Sequence, residues 1–216
     1  MLEIRNLDVA IQSVQILRDV SFDVPSGTMA GLIGRNGAGK TTLMKSIMGL
    51  IRSRRGTLRF DGADLLALPT HARTRLGIGY MPEDRRLIPD LTVEENVLVP
   101  AWAANRADAL ARLERVYSLI PEVREFSARR GLQLSGGQQK LVALGRALVC
   151  GTKLLVLDEP FEGVAPALAQ RLVEVVSGLK REGLSVILSE SDLRHSERMV
   201  DRVIVIDRGA ISSKDY

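Results

Sequence analysis

A single cysteine, Cys150, rules out an internal disulfide framework for this 216-residue chain, and its place in a helical run reads as packing. Only two histidines, His71 and His195, accompany it, too few for a zinc constellation. No apolar run approaches the roughly 18 to 20 residues that a membrane-spanning helix needs, so the chain is not expected to cross a bilayer by itself. The opening Met1-Leu-Glu-Ile-Arg lacks the apolar region of an export signal, which leaves cytosolic exposure as the expectation. Nor is there a long basic run: the net charge is +4, and no nucleic-acid partner is expected from it. Repeats and low-complexity segments are absent too. Hydrophobic residues make up 45% and charged residues 26%, which fits one globular domain with a substantial core.

Against these absences one motif is complete. Gly34-Arg-Asn36-Gly37-Ala38-Gly39-Lys40-Thr41-Thr42 follows the phosphate-loop pattern GxxxxGK[ST]. It lies between a buried strand over 28–33 and a helix over 40–50 with Leu43, Ile47 and Leu50 on one face, the setting the motif requires. The glycines permit a tight turn that brings backbone N–H groups to a polyphosphate, at the positive end of the following helix. Lys40 would reach the outer phosphates, Thr41 would offer its hydroxyl to Mg²⁺, and Thr42 would steady the outer phosphates. The alternative is a glycine-rich turn before an ordinary helix.

Alternation of Leu2 and Ile4, then of Val20, Phe22 and Val24, predicts antiparallel strands before the loop. A further short strand closes at the turn Asp61-Gly62, a helix covers 69–76, and a strand covers 77–81. A charged loop, 82–86, leads into a helical stretch from about 91 to 130 that opens on Thr92 and Glu95 at capping-box spacing. Leu110, Leu113, Tyr117 and Ile120 form its apolar face, and Trp102 is assigned to the core rather than to an exposed anchor. Leu134-Ser135-Gly136-Gly137-Gln138-Gln139 then begins a helix, as either an anion-facing cap or a plain one. The strand Leu154-Leu-Val-Leu157 ends in Asp158 and Glu159, where open α/β sheets keep their chemistry. Asp158 would hold Mg²⁺, usually through water, and Glu159 would polarise an attacking water; the alternative is that the two acids cap the next helix. Helices over 166–180 and 192–199 alternate with strands over 184–188 and 202–206, and Gly209-Ala-Ile211 starts a final strand. The alternation implies an α/β fold with a mostly parallel sheet.

Taken in order, GRNGAGKTT, MPEDRR with LTVEEN, LSGGQQ and LLVLDEP resemble the ATPase subunit of ABC transporters over essentially the whole chain. Within that superfamily GIGYMPEDRR, LTVEENV and EPFEGVAP look most like the ATPases of branched-chain amino acid importers. The resemblance implies a P-loop NTPase fold in one domain over 1–216, with a RecA-like core at about 1–86 and 136–216, N-terminal antiparallel strands, and a helical subdomain at about 87–135. It also implies an ATP-bound head-to-tail dimer, homomeric or heteromeric, in which Ser135, Gly136, Gly137 and Gln138 of one subunit meet the nucleotide held by the other. Transmembrane permease subunits, contacted through about 83–130, and an external solute-binding protein complete the implied system at the cytoplasmic face of the inner membrane.

Several positions depart from the superfamily's commonest pattern. The aromatic expected to stack on adenine falls at about Ala10 or Ile11, so Ile11 would supply an aliphatic surface instead. The Q-loop glutamine corresponds to Glu83, which would put a carboxylate near the metal. Ser191 stands where a switch histidine is expected and can donate a hydrogen bond but carries no charge; His195, four residues on, is not expected to substitute. The D-loop aspartate is replaced at about Ala165. These changes leave two rivals to a competent ATPase: a nucleotide-gated dimerisation module paired with a better partner ATPase, and an ABC ATPase of nucleic-acid maintenance or translation. The second usually carries long coiled-coil insertions or two cassettes, and neither is present.

Overall fold

The computed structural model describes residues 1–212. Strands β1 (Leu2–Ile11) and β2 (Val14–Val24) form a hairpin whose alternate residues Leu2, Ile4, Val20, Phe22 and Val24 are buried, as period-2 patterning requires. Strand β3 (Met29–Ile33) runs into helix α1 (Lys40–Ile47) through the glycine loop. Strand β4 (Ser53–Phe60) pairs with β1 and turns at Asp61-Gly62 into the short β5 (Ala63–Asp64). Helix α2 (Thr70–Arg75) and strand β6 (Ile78–Met81) follow. Next come helices α3 (Val93–Ala103), α4 (Ala109–Leu119) and α5 (Pro121–Glu125). Helix α6 (Gly136–Cys150) precedes strand β7 (Leu154–Asp158). Helix α7 (Pro166–Arg181) and strands β8 (Ser185–Glu190), β9 (Arg202–Asp207) and β10 (Ala210–Ser212) complete the described chain.

Two sheets result. One is antiparallel, in the order β2-β1-β4-β5; the other has the order β10-β9-β3-β8-β7-β6 and is parallel except for its edge strand β10. The α/β architecture with a mostly parallel sheet is therefore present. Strands β7 and β8 are buried on both faces, so both read as continuous apolar runs. Leu155, Leu157, Val186 and Leu188 pack toward a cluster shared with α3, α4, α6 and α7. Leu154, Val156 and Ile187 face the opposite cluster, built from α1 and the antiparallel sheet. Reciprocal capping boxes start α3 (Thr92 with Glu95) and α6 (Ser135 with Gln138), each satisfying helix-end N–H groups.

Five expectations need correction. Helix α1 ends at Ile47 because Gly49 turns at φ 75° and the buried Arg73 guanidinium caps the carbonyls of Ser46 and Ile47. Leu50 is thereby outside the helix and 51% exposed. Leu110 is 68% exposed: the buried face of α4 and its C-cap is centred on Ala109, Leu113, Val116 and Ile120, and Leu110 lies about 100° round from Ala109 at the margin of that face. Trp102 is 50% exposed, not core: α3 buries the face of Val93, Asn96, Val97, Leu98 and Ala101, and Trp102 lies in the last turn, about 40° beyond Leu98 at the margin of that face. The expected helix over 192–199 is a series of turns, because Asp192 accepts from the Arg194 backbone and Ser196 bonds to Glu190, local bonds that compete with helix. The final strand begins at Ala210 rather than Gly209 and is seen as far as Ser212; whatever follows lies outside the described residues.

The α4 assignment yields a direct contrast. Leu113→Ala should reduce the unfolding free energy by about 2–5 kcal/mol, and Leu110→Ala by less than about 0.5 kcal/mol. Urea midpoints at unchanged slope measure both; a large loss at Leu110 would return it to the buried face.

Candidate functional site

The loop between β3 and α1 is held in a shape that calls for glycine at three positions. Gly37 and Gly39 take φ of 82° and 111°, and a Cβ on Gly34 would lie 2.3 Å from the Ile206 carbonyl oxygen. The turn delivers Lys40, Thr41 and Thr42 as the first residues of α1, whose leading N–H groups have no intrahelical partners. A cavity of about 460 Å³ opens over them. Asn36, Gly37, Gly39, Lys40, Thr41 and Thr42 line one side, and Glu83, Glu159 and Glu162 face them.

Lys40 is buried, and its ammonium donates to the carbonyl of Gly34 at 2.6 Å and pairs with Glu159 Oε1 at 3.0 Å. Thr41 Oγ1 donates to Asp158 Oδ1 at 3.1 Å, and the buried Ser189 hydroxyl donates to the same oxygen at 2.8 Å. Tyr80 reaches the other carboxylate oxygen at 3.5 Å. Parallel pairing of β7 with β8 sets Asp158 beside Ser189, and pairing of β3 with β8 sets Leu32 beside Ser189, so the acids and the loop meet at the same sheet edge. Burial raises the Asp158 carboxyl above the usual carboxylate range, opposed by the bonds from Ser189 and Thr41. It raises Glu159 likewise, opposed by Lys40.

The donor set around Asp158 is a carboxylate, a threonine hydroxyl and the Glu83 carboxylate across the cavity, all oxygen. Among the described residues no group of three His, Cys, Asp or Glu could cage a metal. Such a sparse oxygen set fits Mg²⁺, which keeps several waters and takes one or two carboxylates together with substrate phosphates.

Other sequence-derived candidates fall elsewhere. Ser191 Oγ lies 3.0 Å from Asn36 Oδ1 and 3.5 Å from Glu159 Oε1, at the rim of the same site. Ile11 is 45% exposed and does not line the cavity. The hairpin folds back through the pair Ile11 and Val14, and Ile16 of β2 supplies the aliphatic wall instead. Ser135, Gly136, Gly137 and Gln138 form the start of α6 and are not in this cavity either. Ala165 is the N-cap of α7. His195 stacks on Phe161 with ring centroids 5.6 Å apart.

Sequence reasoning missed Ser189 and Lys140. Lys140 is buried on α6 and donates to the carbonyls of Glu159, Pro160 and Glu162 at 2.7, 3.2 and 2.6 Å; burial pulls its ammonium down to about 8. Its signal was spacing, since Leu144 and Ala147, four and seven residues on, are core. A serine at the end of an otherwise apolar strand was the signal for Ser189.

A family model described as ABC transporter matches residues 17–162. The chain is 36% identical to the high-affinity branched-chain amino acid transport ATP-binding protein BraG of Pseudomonas aeruginosa, over 100% of this chain and 92% of that one. It is 33% identical to the lipopolysaccharide export system ATP-binding protein LptB of Haemophilus influenzae, over 98% of this chain and 88% of that one. A solved ATP binding subunit of an ABC transporter superposes with a TM-score of 0.86 at 30% identity, over 99% of this chain and 88% of that chain.

Beside the site, burial pushes the Glu190 carboxyl up to about 7, with Glu159 and Asp192 adding to the rise and the Ser196 hydroxyl opposing it. A folded value above the ordinary 4.5 means that the folded chain keeps a proton the unfolded chain gives up. Its contribution is fully present below pH 4.5 and is lost as pH rises through about 7. Glu190→Gln should abolish that loss, which is on the order of 3 kcal/mol. Unfolding free energies of parent and variant from about pH 4 to pH 8 would read it, and parallel curves would refute it.

Proposed function

Since the chain belongs to the ABC transporter ATPase family, we propose that two ATPase subunits of this kind close head to tail on Mg·ATP, hydrolyse it, and drive a separate permease. The observation that carries the reading is the meeting of Lys40, Thr41, Asp158 and Glu159 at the start of α1. ATP phosphates seated on the loop amides compete with Glu159 and the Gly34 carbonyl for the Lys40 ammonium. As Lys40 turns to the phosphates, Glu159 loses its partner, and its carboxylate is left to orient a water for in-line attack. Thr41 and Asp158, with Glu83 across the cavity, are the groups that would hold Mg²⁺. The ion would supply charge neutralisation on the transferring phosphoryl group. Ser191, already bonded to Asn36 of the loop, would steady the γ-phosphate by a hydrogen bond without charge. Ile16 would give adenine an aliphatic bed.

Ser135 and Gly136 are exposed at the N-terminus of α6, away from their own loop. That suits a γ-phosphate brought by the second subunit, with Gly137 and Gln138 in the same first turn. A groove of about 330 Å³ between α1, β6, α3 and α6, lined by Met48, Leu50, Tyr80, Val99 and Pro100, would receive a permease segment. Among the described residues no helix is long and apolar enough to cross a membrane, so attachment to the inner membrane's cytoplasmic face would run through that groove. The transported solute is a branched-chain or related amino acid in this reading, delivered by an external binding protein. The 36% identity to BraG supports it, while the 33% identity to LptB marks export as the competing direction.

Ser191 in the switch position supports one alternative, a gated dimerisation module whose turnover needs a better partner ATPase. Turnover measured across a wide range of protein concentration separates the two. Competent homodimers require a rise steeper than linear, with a fall of about 100-fold or more in Glu159→Gln. Background turnover with intact Mg·ATP binding would select the module. For the groove, Leu50→Glu should cut permease-stimulated turnover about tenfold, on the order of 1.4 kcal/mol of docking energy, with turnover of the isolated subunit unchanged. Full stimulation by the permease would remove the groove as its seat.

A further inference from the structure

Glu159 has a φ of 48°, in the left-handed region that a glutamate occupies only when its surroundings hold it there. Strand alternation would send the residue after Asp158 to the opposite sheet face. The left-handed turn instead leaves its carboxylate 3.0 Å from Lys40, beside the residue that Asp158 meets. Both backbone polar groups of Glu159 end on buried side chains. Its N–H donates to Ser189 Oγ at 3.0 Å, and its carbonyl accepts from Lys140 Nζ at 2.7 Å and, at the longer distance of 3.3 Å, from the Glu162 N–H of its own turn.

Neither partner has freedom to do otherwise. The single Ser189 proton goes to Asp158 Oδ1 at 2.8 Å, so the lone pairs that receive the Glu159 amide are fixed in direction. Lys140 directs its other protons to Pro160 and Glu162, the next carbonyls of the same loop. A lysine buried from α6 against carbonyls alone, at a cost in desolvation, is explained by the loop it ties down.

We propose that Ser189 and Lys140 are positioning residues that clamp the Glu159 backbone from its two sides and so aim the carboxylate at the phosphate loop. The inference rests on the reading of Glu159 as the group that orients water. With either side released, the residue relaxes toward an ordinary φ and carries the carboxylate off its line, where a displacement of about 1 Å can cost on the order of a hundredfold in rate. Ser189 also orients Asp158, so its loss acts on both acids.

The test joins amide hydrogen exchange by NMR to ATP turnover. Ser189→Ala and Lys140→Met should each speed exchange at the Glu159 amide at least about tenfold, with Leu157 still protected. Each should lower kcat about tenfold with the KM for ATP within about twofold. In a Glu159→Gln background Lys140→Met should alter residual turnover by less than about twofold, because it acts through that carboxylate, and Ser189→Ala should keep only the smaller loss that runs through Asp158. Ser189→Thr and Lys140→Arg should restore most of the loss; Ser189→Cys keeps the volume if the alanine variant does not fold. Parental exchange at Glu159 in folded variants, or an equal loss in the Glu159→Gln background, would overturn the clamp. Fast exchange in the variants of a parent that shows no turnover would instead keep the clamp and remove the hydrolysis reading.

Discussion

A buried ammonium, that of Lys40, is the constraint on which this architecture turns. Taken out of water without partners, such a charge costs several kcal/mol or more, and the chain supplies partners from two segments and braces them from a third. The loop itself gives the Gly34 carbonyl, and the first residue after β7 gives the Glu159 carboxylate. Ser189 at the end of β8 and Ser191 just beyond it hold the second partner in place. Those segments can meet only if β3, β8 and β7 are neighbours in one parallel sheet, which is the observed order. The sheet order and the charge balance are thus one requirement seen at two scales.

The same balance explains how the site can be stable and reactive at once. Three glutamates face one lysine across the cavity, and burial raises two neighbouring carboxyls, Asp158 and Glu159. A bare polyphosphate would meet repulsion from Glu83, Glu159 and Glu162. A polyphosphate carrying a divalent cation would not, since the cation neutralises part of both charges. In the proposed mechanism the Lys40 and Glu159 pair is a contact to be exchanged, and the left-handed backbone at Glu159, costing on the order of 1 kcal/mol or more, is held by bonds that the exchange would leave intact.

Much of this could be read before any coordinates. GxxxxGK[ST] between a strand and a helix, and two acids after LLVL, bring Lys40, Thr41, Asp158 and Glu159 together, because glycine conformations and parallel strand ends leave little choice. The misses have a common physical origin. Periodicity tells which face of a helix is apolar but not where the opposing layer stops, which is how Leu50, Leu110 and Trp102 were placed inside and found outside. Ile16 takes the place expected of Ile11 because the hairpin folds back at Ile11 and Val14 and its register shifts at Val9 and Ala10, irregularities that the residue pattern does not record. Over 192–199 the polar side chains Asp192 and Ser196 bond locally and defeat the helix that their apolar neighbours suggest. Ser189 and Lys140 act through backbone atoms of a residue 30 and 19 positions away, and no pattern within either segment records that.

Tyr80 links the site to the surface. Its ring lines the groove beside Met48 and Pro100, while its hydroxyl reaches Asp158 at 3.5 Å, and β6 is paired with β7 through Tyr80 and Val156. Burial and the nearby Asp158 raise the phenol well above its ordinary value, so it remains a proton donor to that carboxylate under all ordinary conditions. A segment seated in the groove, as proposed, would press on a residue that also touches the acid at the centre of the site. If seating changes the position of Tyr80, the affinity for Mg·ATP changes with it. Linkage then requires that Mg·ATP change the affinity of the groove for its occupant by the same factor. In the proposed docking a parallel strand, β6, and not a loop would carry that exchange between the groove and the nucleotide site.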